Sequence, residues 1–183
     1  MKRSIRSIIG AAVLIGVVTL TAPLAMAQSQ STTLTNEQRS QVVANCTSIK
    51  STITQLGISD ALLRVNRGKA YESLRTRLMD TFNARIAGNN LDAQGMLSVT
   101  QNYGTTLDEF RTAYITYERQ LAATLRIDCT KEPDTFHAAL LDARSKRALL
   151  HEKVKTLHRE IDNYKTVIGD FYQEYRRISG TDE

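Results

Sequence analysis

Cysteine, histidine and proline are all scarce in this sequence, and each shortage removes a class of answer. Two cysteines leave one intramolecular pairing, Cys46 with Cys129. Neither follows the first apolar stretch, so no lipid-attachment signal is present. Three histidines give little material for a metal centre. His137 has no company. His151 and His158 share a helix face but stand about 10 Å apart along the axis, too far to hold one metal. His151-Glu152 opens like the zinc-peptidase pattern H-E-x-x-H, but Lys155 occupies the place of the second ligand. His158 and Asp162 form a lone i, i+4 pair and are read as part of a solvated face. There is no nucleophile–base pair, no glycine loop to cradle phosphate and no pair of carboxylates in a recognisable cleft. The expectation is a protein with no catalytic, cofactor or metal site, hence not an enzyme.

Long apolar runs are also missing, except at the start. Lys2, Arg3 and Arg6 precede an almost wholly apolar stretch from Ile8 to Leu20. Pro23 then breaks it, and Ala25-Met26-Ala27 places small residues at −3 and −1 of a cleavage site before Gln28. Residues 1–27 are therefore read as a signal peptide, the alternative being an uncleaved anchor. No later stretch approaches the ~20 apolar residues of a membrane span. The expected location is extracytoplasmic: secreted, periplasmic or in the cell envelope. Export also favours a disulfide between Cys46 and Cys129. Cleavage takes the 24 basic residues to 21, against 19 acidic, a net charge of +2. That near balance gives no support for nucleic-acid binding.

What is abundant is helical periodicity. Residues 28–34 are a Ser/Thr/Gln linker expected to be disordered. Thr35 and Gln38 make a capping box. Val42, Cys46, Ile49, Ile53 and Leu56 then recur at spacings of four and three, an apolar seam. The pattern resumes more loosely after Gly57, where a kink is allowed, through Leu63, Tyr71, Leu74, Leu78, Phe82 and Ile86. Gly88 suits the position after a helix C-terminus, and Asn89-Asn90 suits a turn. A second seam comprises Met96, Thr100, Tyr103, Leu107, Phe110, Tyr114, Tyr117 and Leu121. Pro133 opens the last helix. Its seam alternates without a miss through Phe136, Leu140, Ala143, Arg147, Leu150, Val154, Leu157, Ile161, Tyr164, Ile168, Phe171, Tyr175 and Ile178.

The expected fold is all-α: an elongated, coiled-coil-like, up-down-up antiparallel three-helix bundle over residues 35–178. Its helices span about 36–87, 91–127 and 134–178, with a disordered tail at 179–183. Pairing about the two turns sets Arg147 against Tyr114, Val154 against Leu107, and Leu74 against Gly104. It also brings Cys46 within a turn of Cys129. A reversal at Gly57 would instead leave the cysteines about 30 Å of helix apart, beyond the reach of a disulfide.

Three surfaces invite attention. Arg147 is the one charge on the last seam, and is expected to be held by Glu118, by a tyrosine ring face, or by both. Phe171, Tyr172, Tyr175 and Ile178 overhang the turn at Gly88–Asn90 and form a candidate partner contact. The alternative is that residues 88–95 fold over them. Arg144, Lys146, Arg147, Lys153, Lys155 and Arg159 make the first half of the last helix basic. Asp142, Glu152 and Glu160 interleave with them, giving a solvated ion-pair face by default and an acidic-ligand patch as the alternative. A slim bundle offers little room for a pocket, so no small-molecule substrate is expected.

Leu34-Thr35-Asn36-Glu37-Gln38-Arg39 resembles the LTxxQ motif of the small periplasmic helical stress chaperones of the Spy/CpxP family. The resemblance covers six residues and a second copy is absent; a capping box calls for the same letters. It implies a chaperone for unfolded exported proteins. From the residues themselves, the expected function is an exported, non-enzymatic structural or interaction module. Its partner would be another protein or a second copy of the chain.

Overall fold

The computed structural model describes residues 33–180, and every regular element among them is helical, with no strand. The expected signal peptide, residues 28–32 of the expected linker and residues 181–183 of the expected tail lie outside the described residues. Helix α1, Asn36–Ala44, opens on the expected capping box. The Thr35 hydroxyl accepts the Gln38 N–H at 3.2 Å, and Gln38 Oε1 accepts the Thr35 N–H at 2.9 Å. Helix α2, Cys46–Ser73, follows after one residue, Asn45. The Asn45 side-chain amide and its own backbone N–H both donate to the Gln41 carbonyl, at 2.9 and 3.1 Å.

Gly57 lies inside α2 and interrupts nothing. A β-carbon there would sit 3.0 Å from Leu121 Cδ2, so the glycine serves close approach rather than a kink. The irregularity comes later. Leu74–Met79 widens into a π-helical turn before α3, Asp80–Gly88. The left-handed residue of the following turn is Asn90, at φ 58°, rather than Gly88. Helix α4 spans Gln94–Arg126 and α5 spans Pro133–Ser179, the latter ending on Gly180 at φ 68°. Ser179, where the tail is expected to begin, is thus the last residue of α5.

Helices α4 and α5 pack along most of their length. Ala139 O accepts from Gln120 Nε2 and the Thr124 hydroxyl, Glu109 meets Lys153, and Gly95 lies against Val167. Residue numbers rise along one helix as they fall along the other. The same holds for the first arm against α4, where Gly57 meets Leu121, Arg75 meets Gly104 and Asn83 meets Thr100. Two apolar clusters result. One gathers Met79, Met96, Tyr103, Leu107, Phe110 and Leu157, and the other Ile53, Tyr117, Leu121, Phe136 and the two cysteines.

Cys46 and Cys129 lie at disulfide distance, with Cα atoms 5.6 Å apart. The same end is tied a second time. Leu34 is buried, its N–H donates to Asp134, and Arg39 Nε reaches the same carboxylate at 2.8 Å. The end of the expected linker therefore packs against the start of α5. At the other end a polar pin crosses the core. Buried Asn83 donates to the Thr100 hydroxyl at 2.8 Å and accepts the Tyr164 hydroxyl at 2.7 Å. Buried polar groups satisfied in this way penalise any slip that would orphan them.

Candidate functional site: a groove between α2 and α5

The apolar spacing that governs Val42 to Leu56 lapses beyond Gly57. Asp60, Arg64 and Arg67 occupy α2 where α5 passes, and long polar side chains hold helices apart. No Cα of α2 comes within 8 Å of a Cα of α5, although both pack on α4. The gap is a groove of about 540 Å³, floored by Leu63, Phe110, Leu150 and Val154 and edged by Arg64, Arg67, Arg144, Arg147 and His151. That volume falls within the range of ordinary small-molecule sites, roughly 300–1,000 Å³.

Two polar braces span the gap. At one end Arg147 grips Asp60 with both Nε and a terminal nitrogen, at 2.8 and 2.9 Å, while the Tyr117 hydroxyl donates to the same carboxylate at 2.8 Å. At the other, the Tyr71 hydroxyl and His158 Nε2 share a hydrogen bond of 3.0 Å. About 16 Å of helix separates Asp60 from Tyr71, and the same length separates Arg147 from His158.

Burial alone would raise the pKa of Asp60. The hydrogen bonds from Arg147 and Tyr117, with the Arg147 charge, outweigh it and hold the carboxyl below its ordinary value of 3.8. Burial, and then the bond to Asp60, push the Tyr117 hydroxyl up. A carboxyl with a lowered folded pKa stabilises the fold above its unfolded pKa. That contribution is lost as pH falls through the folded value. Asp60→Asn is therefore expected to cost about 1–2 kcal/mol at pH 7, the worth of hydrogen bonds to a charged group beside a half-exposed guanidinium. In thermal melts, the gap between variant and parent should close as pH drops below 3.8. A gap unchanged at pH 3 would show that the brace does not act through ionised Asp60.

The arginines that edge the groove differ in their partners. Arg147 has Asp60. Arg64 lies over the Tyr114 ring, 4.7 Å from its centroid, a cation–π contact. Among the described residues, Arg64, Arg67 and Arg144 form no ion pair. Positive charge thus exceeds negative around an apolar floor.

The expected site residues are placed as follows. Cys46 and Cys129 come together. Arg147 does not take Glu118 as its carboxylate; Asp60 of α2 holds it, because the brace crosses to α2 rather than along α4. Arg147 is also half exposed rather than buried in a seam. Phe171 packs against the edge of the core and stacks on Tyr175, their centroids 6.3 Å apart. Tyr172, Tyr175 and Ile178 are exposed. The groove itself was not expected. A weak signal for it existed: the lapse of periodicity after Gly57, where arginines recur on α2, faces the basic half of α5. No protein-family model, no curated protein and no solved structure matches the chain.

Proposed function

We propose that this chain is an exported helical module that acts by binding rather than by chemistry, with the α2–α5 groove as its contact site. The N-terminal sequence pattern and the cysteine pair support export. The register of side-chain contacts supports an elongated up-down-up bundle formed by the first arm, α4 and α5. The observation that carries the binding role is the groove: an apolar floor beneath three arginines that have no carboxylate partner among the described residues. Apolar surface left in a concave site, with a few polar groups converging on it, is the usual character of a binding pocket.

The test is photo-crosslinking in the cell of origin, with a benzophenone side chain in place of Leu63 on the floor and, as a control, of exposed Thr116 on α4. A discrete adduct at position 63 and none at 116 is expected. No adduct at 63 would remove the groove as a contact site.

The Spy/CpxP-like alternative has one observation in its favour. Ile58, Leu62 and Val65 recur at helical spacing on α2 and are about half exposed, as a surface for unfolded clients requires. Suppression of client aggregation that Leu62→Ser abolishes would favour it. The LTxxQ-like string is accounted for locally, by the capping box and by the tie of Leu34 and Arg39 to Asp134.

A further inference from the structure

Helix α2 is apolar on more sides than its own fold covers. Ile53 and Gly57 pack toward α4, and Leu63 lines the groove. Ile58, Leu62 and Val65 lie on a third side, at spacings of four and three, and keep 53, 63 and 45% of their surface exposed. At about 100° per residue that side points away from the groove, whose α2 edge is Asp60, Leu63, Arg64 and Arg67. Beside it, where α2 meets α4, a hollow of about 260 Å³ is lined by Gly57, Ile58, Ala61, Leu121, Ala122 and Leu125. A helix that is apolar all round belongs in an interior, so the exposed stripe calls for a cover.

The residues around the stripe fit a second copy of it. Gln55 bounds the stripe at one end and Lys69 at the other, each seven residues from Leu62. Lys69 has no ion pair among the described residues. In an antiparallel pair of α2 helices with Leu62 against Leu62, residues equally far from Leu62 in number lie opposite each other. Gln55 then meets Lys69 of the second copy at both ends, an amide oxygen against an ammonium. Ile58 lies within one residue rise, about 1.5 Å, of the level of the second copy's Val65. The flanks are small or uncharged, with Thr54, Ala61 and Gly68 toward α4 and Ser59 and Asn66 on the outer side. Two such helices therefore approach without burying a charge. At Gly68 the surface is open, since a β-carbon there would meet nothing within 4 Å. A parallel pair would instead set Lys69 on Lys69.

We propose that the chain forms a two-fold dimer through the Ile58–Leu62–Val65 stripe, the two α2 helices antiparallel and Leu62 at the axis. The contact leaves the groove free and does not rest on its being a binding site. From Gln55 to Lys69 it covers about 21 Å of helix. That is short for an interface of standard size, roughly 800 Å² per partner, so the dimer dissociates on dilution. Burial of the three aliphatic side chains drives the association, and the Gln55–Lys69 ends fix its direction.

The test is sedimentation equilibrium of the purified chain without residues 1–27, where a monomer–dimer equilibrium in the micromolar range is expected. Leu62→Glu sets two carboxylates at the axis and should weaken the dimer at least tenfold. Gln55→Glu should tighten it about fivefold, through two exposed ion pairs with Lys69, and Gln55→Lys should weaken it by a similar factor. Leu149→Glu, at an exposed leucine of α5 outside the stripe, should leave it unchanged. All three positions are exposed, and thermal melts confirm that each variant folds. A chain that stays monomeric at millimolar concentration, a dimer that survives Leu62→Glu, or one that Gln55→Glu and Gln55→Lys change alike would overturn the proposal. So would a monomer that suppresses client aggregation and loses that ability in Leu62→Glu, which would give the stripe to unfolded clients.

Discussion

Replacing Cys46 and Cys129 together by alanine is expected to lower stability by about 4–5 kcal/mol, the entropy that a cross-link across 83 residues removes from the unfolded chain. For a domain of this size that is a fall in Tm of roughly 10–15 °C. Reduction of the parent protein should reproduce it. The cost is felt most at one end. There α1 is held otherwise by the Arg39–Asp134 ion pair and Leu34, and exposed ion pairs contribute about 0–1 kcal/mol. Hydrogen exchange should therefore show protection lost first over α1 and the start of α2. A loss below about 1 kcal/mol would mean that packing alone closes this end.

Tyr103 should give the second large effect. It is fully buried at the centre of one cluster, and its hydroxyl donates to the Tyr71 carbonyl at 3.0 Å. Burial pushes that hydroxyl's pKa up, as it must for a group kept neutral in the core. Tyr103→Ala removes the ring and leaves a cavity, at about 3–5 kcal/mol. Tyr103→Phe keeps the ring and loses one hydrogen bond, at about 1 kcal/mol. Chemical denaturation of the two variants separates volume from hydrogen bonding. Equal losses would show that the hydroxyl, through the Tyr71 carbonyl, matters more than the ring.

Much of the helical organisation could be read from spacing, because burial repeats with the helix. The capping box at Thr35, the proline that opens α5 and the nearness of Cys46 to Cys129 each follow from a local rule or from counting along a rod. What escaped depends on the gap between rods. Periodicity marks Arg147 as an oddity on its own helix but does not say which neighbour answers it; Glu118 was nearer in the assumed pairing, and Asp60 is the partner found. The groove exists because α2 packs on α4 and stands off α5; the lapse of apolar spacing after Gly57 marks where the contact fails but not how wide the gap is. Gly57 and Gly88 mislead for a related reason. A glycine suits a kink, a helix end or a close contact equally well, and only the neighbouring Leu121 shows which role Gly57 has. The π-helical turn has no signature in composition at all, since it consists of a shift in backbone hydrogen bonding.

That turn is where the chain can lose a residue. A π-helical turn holds one residue more than the α-helix would need to bridge the same gap. Loss of a single residue within Leu74–Met79 would draw the turn into ordinary α-helix and leave the segments on either side of it in phase. Gly57 would still face Leu121, Asp60 would still reach Arg147, and Cys46 would still meet Cys129. The same loss in the regular helix of α2, between Asp60 and Ser73, would instead rotate everything before it by about 100° relative to α3 and damage the first arm.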